Sequence, residues 1–248
     1  MELNHLKLFG TRITPLSIDE LNEFTNKTIS ESGKQQILSL NLHSLYLQFK
    51  SPKLNRIQNQ SVMRIDGMPI IWLANQQGYK SINRQHRVTW MDWKEAFFEM
   101  CNTNGFKVFY VGSKPEMKEQ IEHYIEENYA AISFKCNHGY FQLNSPEEEE
   151  LLLQINQFKP NILLVGMGMP RQEYWIDSHA ARINANLVMS CGAAMEYMVG
   201  YVNEPPRWMG RLGLEWLFRL VEKPRRFFHR YLVEPWILMY YLINYKNN

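Results

Sequence analysis

A chain of 248 residues, 45% hydrophobic and 21% charged, has enough apolar material for the core of one large α/β domain with an appendage, or of two small domains, which excludes a disordered chain. The net charge of +2 is unevenly placed: from Tyr201 onward eight Lys/Arg stand against four Asp/Glu, giving +4 and leaving −2 for residues 1–200. Cys101, Cys136 and Cys191 lie far apart without a CxxC pair, which argues against a disulfide framework or a zinc site and for a reducing, cytosolic setting.

Short apolar runs alternate with longer helical patterns, the pattern of a mainly parallel sheet. Ser17 with Glu20 forms a capping box that opens the first helix. A strand at residues 36–40 ends at Asn41 and His43, and a strand at 62–65 ends at Asp66, ahead of a helix near Pro69. Asp92 with Glu95 opens a helix that stops near Gly105, where glycine accepts a left-handed cap. A strand at 107–111 leads to a second box, Ser113 with Glu116. A strand at 131–135 precedes a third, Ser145 with Glu148, whose run of glutamates at 147–150 suits the first turn of a helix. A strand at 162–165 runs into the turn Gly166-Met167-Gly168-Met169-Pro170, and the last strand spans 187–190. Pro205 and Pro206 then break the chain before a segment dense in Arg and Trp, so residues 1–200 form the sheet domain and 201–248 an appendage.

Three places have the residue types for chemistry. The glycine turn at 166–170 lacks the third glycine of GxGxxG, so a phosphate cradle and a tight strand-to-helix turn are equally good readings. Gln172, just after it, is a donor and acceptor at the mouth of a parallel strand. Asp66 at the carboxyl edge of the sheet is placed either to act as a general base or to cap the helix after it. Asn41 is placed to hold a ligand hydroxyl, while His43 reads as a structural hydrogen-bonding histidine. No DxD, HExxH or clustered ligand spacing occurs, so no metal is indicated. Arg207, Arg211, Arg219, Arg225, Arg226 and Arg230 are the candidate cations for a diphosphate. Aromatic residues interleaved with them suit a bilayer interface or a terminal helix packed on the core. The basic excess is small and lacks a nucleic-acid motif. With no basic leader and no run near the roughly 18 apolar residues of a spanning helix, the chain is expected neither to be exported nor to cross a membrane.

These pieces together resemble the WecG/TagA/CpsF glycosyltransferases. The resemblance lies in IDGMPI from Ile65, HRVTWMDW from His86, FYVGSKPEM from Phe109, HGYF from His138, LLVGMGMPRQEYWI from Leu163, CGAAMEYMVGYV from Cys191, and PPRWMGRLGLEWLFRLVEKPRRFFHRY from Pro205. It implies a Rossmann-like, mainly parallel sheet with helices on both faces and a C-terminal helical, membrane-docking appendage. The implied activity is that of an inverting transferase that needs neither metal nor cofactor. It moves a sugar of the N-acetylmannosamine, N-acetylmannosaminuronate, glucose or glucuronate type from a UDP donor to a polyprenyl-diphosphate-linked sugar, in cell-surface polysaccharide synthesis. The resemblance makes Asp66 the base and places Asn41, Arg87, Asp92, Gly112, Gly166, Gln172, Arg207, Arg219, Arg225 and Arg226 at the substrates. It further implies self-association and a cytoplasmic location on the inner membrane face, with no nucleic-acid partner. The alternative is a non-catalytic nucleotide- or lipid-binding module of a polysaccharide assembly complex.

Overall fold

The computed structural model describes residues 3–245, and of Arg207 and Arg211 the backbone alone. It opens on a hairpin that the sequence pattern does not reveal. β1 (Leu6–Leu8) pairs antiparallel with β2 (Thr11–Ile13) across Phe9 and Gly10, left-handed at φ 46° and 80°. Such a turn matches the twist of the strands it joins, but three-residue strands are too short to show a period.

α1 (Ile18–Ser30) carries the expected box: the Glu20 amide donates to Ser17 Oγ at 3.3 Å and the Ser17 amide to Glu20 Oε2 at 2.8 Å. β3 (Gln35–Leu40), α2 (Leu42–Lys50), α3 (Pro52–Gln60), β4 (Val62–Ile65) and α4 (Met68–Gln76) come next. α5 (Trp90–Thr103) begins two residues before Asp92, which corrects the expectation that Asp92 starts it. Trp90 and Trp93, buried with ring centroids 4.9 Å apart, draw the helix back, and Asp92 stands exposed in its first turn. The helix stops before Gly105, which is left-handed at φ 60° as expected.

After β5 (Lys107–Gly112), Ser113 is not a cap. Its φ is +57° and its hydroxyl is engaged with Tyr110 Oη at 2.7 Å, so the single turn Pro115–Met117 precedes α6 (Lys118–Asn128). β6 (Ser133–Asn137) lies two residues later than the run at 131–135 indicates. α7 (Pro146–Phe158) has half a capping box: Ser145 Oγ accepts from the Glu148 amide. Glu148 is instead pulled inward, where it accepts from the Asn144 amide at 2.5 Å and from Trp175 Nε1 at 2.8 Å. β7 (Ile162–Gly166), α8 (Arg171–His179), β8 (Leu187–Ser190) and α9 (Ala194–Met198) complete the alternation. The tail forms α10 (Arg207–Leu212), α11 (Glu215–Glu222), α12 (Pro224–Phe228) and, after a wide turn at His229–Val233, α13 (Glu234–Ile243).

Six strands make one parallel sheet in the order β4-β3-β8-β7-β5-β6, flanked by helices, which is the Rossmann-like α/β architecture expected. Among the described residues no helix is long and apolar enough to cross a membrane. The chain divides into two compact units.

The first unit comprises Ser17–Leu38 and Trp90–Val202. β5 and β7 are buried on both faces, as a continuous apolar run in a parallel sheet requires, and Trp93, Phe97, Phe98, Ile121, Ile125, Leu151, Ile155 and Trp175 cover them from the helices. Gly112 and Gly166 sit side by side in the β5–β7 register. A Cβ at Gly166 would fall 2.5 Å from the Gly192 carbonyl oxygen and 2.7 Å from Tyr110 Oη, and one at Gly112 would fall 2.3 Å from Tyr110 Oη. Both glycines therefore make room for a buried tyrosine, whose phenol burial holds well above its ordinary pKa.

The second unit takes the residues up to Leu16, Ser39–Thr89, and the chain from Asn203 onward. Segments distant in sequence thus share one core, in which Arg64 on β4 is buried and donates to Ser39 Oγ at 2.5 Å and to the Val88 carbonyl. Leu8, Ile13, Leu45, Leu54, Ile57, Ile65 and Ile70 fill the space around it.

Replacing Gly166 with Ala is expected to lower unfolding stability by about 1–3 kcal/mol, the usual cost of forcing a methyl into a filled core. Denaturant titration without nucleotide checks it, and a variant as stable as the parent removes the packing account of this glycine.

Candidate active site

The second unit contains a cavity of about 300 Å³ built where two neighbouring strands end. The Asp66 amide donates to the Leu40 carbonyl at 2.7 Å, so the residues that succeed β3 and β4 emerge side by side. Asn41 comes directly after β3 and caps α2: its Oδ1 accepts from the Ser44 amide at 3.1 Å while Ser44 Oγ accepts from the Asn41 amide at 2.9 Å. The other end of the same side chain, Nδ2, donates to Asp66 Oδ2 at 3.2 Å.

Asp66 is not the cap of α4. Gly67 occupies that position at φ 142° with no side-chain bond to the helix, a conformation that L side chains rarely adopt. The half-buried carboxylate is left oriented by Asn41 and facing the cavity. Of the two readings the sequence leaves open for Asp66, helix capping is thereby removed.

Arg87 is pinned from both sides. The Val88 amide donates to the Ile65 carbonyl at 2.9 Å, and the Arg64 guanidinium holds the Val88 carbonyl. Arg87 Nη2 then meets Glu215 Oε1 at 2.5 Å, and Glu215 Oε2 lies 3.8 Å from Arg219 Nη2. One carboxylate on α11 thus serves two cavity arginines. Gly210 lets α10 pass this pair, since a Cβ there would fall 2.6 Å from Glu215 Oε1.

Arg230 also lines the cavity, and its Nε is buried with no hydrogen-bond partner among the described residues. Burial, together with the Arg219 guanidinium, pulls its pKa below the ordinary value against the carboxylates of Asp66 and Glu234. Among the described residues the cavity lining carries three arginines, Arg87, Arg219 and Arg230, against the two carboxylates Asp66 and Glu215. An excess cation in a partly desolvated pocket attracts an anionic ligand. Trp72, Trp216 and Tyr231 supply its aromatic walls, with Tyr231 stacked on Phe227 at 5.3 Å.

His43 opens α2 beside this cavity, and its Nδ1 lies 2.6 Å from Glu234 Oε2, while His229 Nδ1 lies 3.3 Å from Glu234 Oε1. The structural role read for His43 thus has a definite partner, 191 residues away. That separation is why no local motif shows it.

Of the residues the sequence indicates, the structure brings Asn41, Asp66, Arg87, Arg219 and Arg230 together around the cavity. Arg225 and Arg226 stand exposed on α12, outside its lining, and the side chains of Arg207 and Arg211 lie outside the described residues. Asp92, Gly112, Gly166 and Gln172 belong to the first unit. There Gln172 is buried in the first turn of α8 and donates to Glu173 Oε1 at 2.8 Å, with its own Oε1 unpartnered among the described residues. Trp72 at the cavity is not singled out by the sequence, and Glu215 and Tyr231 stand in the run from Pro205 that carries the family resemblance without a role assigned to them.

Burial and the Arg230 charge hold His43 below its ordinary pKa of 6.5. The unfolded chain therefore binds this proton first, and the stability His43 contributes is full above about pH 6.5 and declines as pH falls. The thermal midpoint should fall less between about pH 7 and pH 5 in His43→Asn than in the parent. Calorimetry at several pH values checks this, with a residual slope from His5, which burial and Arg12 also hold down.

The model of the Glycosyl transferase WecG/TagA/CpsF family matches residues 6–248. Similar proteins include the N-acetylglucosaminyldiphosphoundecaprenol N-acetyl-beta-D-mannosaminyltransferases of Staphylococcus aureus strains NCTC 8325 / PS 47 and COL. Each is 27% identical over 199 residues, which cover 80% of this chain and 73% of the relative. With the match running from β1 through the last tail helix, the chain belongs to the WecG/TagA/CpsF family and is a glycosyltransferase.

Proposed function

We propose that this enzyme transfers a sugar from a UDP donor to a sugar carried on polyprenyl diphosphate, in the assembly of a cell-surface polysaccharide. The observation that carries the reading is the oriented Asp66 carboxylate in a cavity with an excess arginine, Arg230, whose buried Nε lacks a partner among the described residues. The acceptor class is supported by the name of the Staphylococcus aureus relatives, and the same name favours N-acetylmannosamine over uronate, glucose or glucuronate donors.

In this mechanism Asp66 takes the proton from the acceptor hydroxyl as its oxygen attacks the anomeric carbon. The bond from that carbon to the donor diphosphate breaks, and its electron pair leaves with UDP. A single displacement inverts the anomeric centre. Arg230 offsets the charge that develops on the diphosphate, the part a divalent cation would otherwise play, so the step proceeds without metal. Asn41 holds Asp66 in the orientation that accepts the proton.

The lipid carrier requires a membrane, and the tail offers a surface for it. Trp208, Trp236, Tyr240 and Ile243 are exposed, with Arg225 and Arg226 exposed on α12. Rings at headgroup level and guanidinium groups on lipid phosphates suit the inner, cytoplasmic face of a bacterial membrane. Self-association there is part of the same proposal.

Asp66→Asn is expected to lower kcat by about 10²–10⁴-fold, the usual contribution of a general base. Label transfer from UDP-N-acetylmannosamine to a polyprenyl-diphosphate-linked sugar measures it, and an unaffected, folded variant removes Asp66 as base. Arg230→Gln is expected to weaken UDP binding by about 10–100-fold, the effect of losing a charge-assisted hydrogen bond. Titration calorimetry reads it, and unchanged affinity would detach Arg230 from the diphosphate.

A further inference from the structure

α13 divides its side chains among three directions. Tyr241 stacks on Phe49 of α2 at 5.4 Å, and Leu238 is buried. Trp236 and Tyr240 point to solvent, 68% and 66% exposed, while Ile243, 76% exposed, stands at the end of a groove of about 460 Å³ beside the helix. Pro235, Leu238, Met239 and Leu242, at the spacing of one helical stripe, form one wall of this groove. Leu73 of α4 and Phe9 of the hairpin turn contribute to its other side, and only Gln76 and Gln77 among its lining residues are polar. The groove adjoins the candidate active-site cavity, for Leu42, Pro69, Trp72 and Pro235 line both.

We infer that this groove holds the first isoprene units of the acceptor's polyprenyl chain, an inference that rests on the acceptor class proposed above. The two compartments match the two ends of such a molecule. A diphosphate needs the cations of the cavity, while the hydrocarbon beside it must leave water without separating from its head group. Trp72 and Pro235 line both compartments, so head group and hydrocarbon would part at their common border. From Pro235 to Ile243 the wall rises about 12 Å at ~1.5 Å per residue, the length of roughly two or three isoprene units. The groove is therefore matched to the start of the chain and not to its whole length.

The test is a series of acceptors bearing the same sugar diphosphate on methyl, geranyl, farnesyl and undecaprenyl groups, all assayed in one detergent. In the parent enzyme kcat/KM should rise about tenfold from methyl to farnesyl, as burial of roughly 60 Å² of hydrocarbon gives, and then level off at undecaprenyl. Met239→Gln and Leu73→Gln, on opposite walls, should flatten that rise and leave transfer to the methyl acceptor unchanged. A farnesyl-to-methyl ratio equal in parent and variants overturns the inference, whatever the variants' absolute rates. An unchanged ratio with weaker vesicle binding assigns the groove to the membrane surface, and one with lost self-association assigns it to a second copy; either overturns it. Absence of transfer by the parent to every acceptor would instead sink the reaction proposed above.

Discussion

The buried carboxylate of Glu234 is the constraint on which the site depends. It closes on His43 at 2.6 Å and on His229 at 3.3 Å, and so fastens the start of α13 to the start of α2. A charge in such a place is costly unless it is paired, so the position of the tail is set by the need to satisfy one carboxylate. Its pairing fixes the geometry on either side. Arg230 lies one helical turn before Glu234 and is thereby held at the cavity, and Pro235 immediately after becomes a wall shared by cavity and groove. Burial and the neighbouring Arg230 charge hold the His43 pKa below its ordinary value, and the Glu234 carboxylate opposes them.

The arginines of the cavity divide into two kinds by their partners. Arg87 and Arg219 share Glu215, so their charge is largely spent inside the protein on joining the segment at Val88 to α11. Arg230 has no such carboxylate within ion-pair distance among the described residues, and Asp66 and Glu234 favour its charge only from farther away. A ligand diphosphate gains little from displacing a paired arginine and much from meeting one whose desolvation has already been met by folding. Preorganisation of this sort places the electrostatic work in the folding of the tail and leaves the bound state to benefit from it. Asn41 does the corresponding service for Asp66. With both ends of its amide in use, it fixes the carboxylate and has little freedom to adapt to a substrate.

Much of the sheet is legible in the sequence because parallel strands buried on both faces must be short continuous apolar runs. β4, β5, β7 and β8 lie within a residue of where those runs place them. The Ser17 box is legible too, since its two partners are local. Readings fail where a distant group outcompetes the local one. Ser113 gives its hydroxyl to Tyr110, Glu148 turns inward to Trp175, and α5 starts at Trp90 because burying two tryptophans outweighs the capping preference of Asp92. The candidate site is legible to the same limit. Asp66 and Asn41 stand at strand ends and can be found by that rule, whereas the pairing of His43 with Glu234 and of Arg87 with Glu215 joins positions far apart in the chain. Nothing local distinguishes Arg230 from Arg225 or Arg226. Only folding shows that the first lines the cavity and the other two face solvent.

The aromatic tail admits two readings in the sequence, a bilayer surface or a helix packed on the core, and in α13 these cease to compete. A helix with one apolar stripe has to choose between burial and exposure, but a helix that is apolar on nearly every side does not. Tyr241 stacked on α2 and the buried Leu238 satisfy the packing reading, and Trp236 and Tyr240 remain outside for an apolar surface to cover. The stripe between them, from Pro235 to Leu242, lines the groove, and its first residue, Pro235, also lines the candidate active-site cavity. For an enzyme whose proposed acceptor has a sugar diphosphate at one end and a hydrocarbon at the other, a single helix that packs on α2, lines the groove and, on the proposed reading, meets the membrane would set the depth at which the reacting hydroxyl meets Asp66. The apolar excess of the tail, unexplained if it served packing alone, is then accounted for by the substrate's own division into charged and greasy ends.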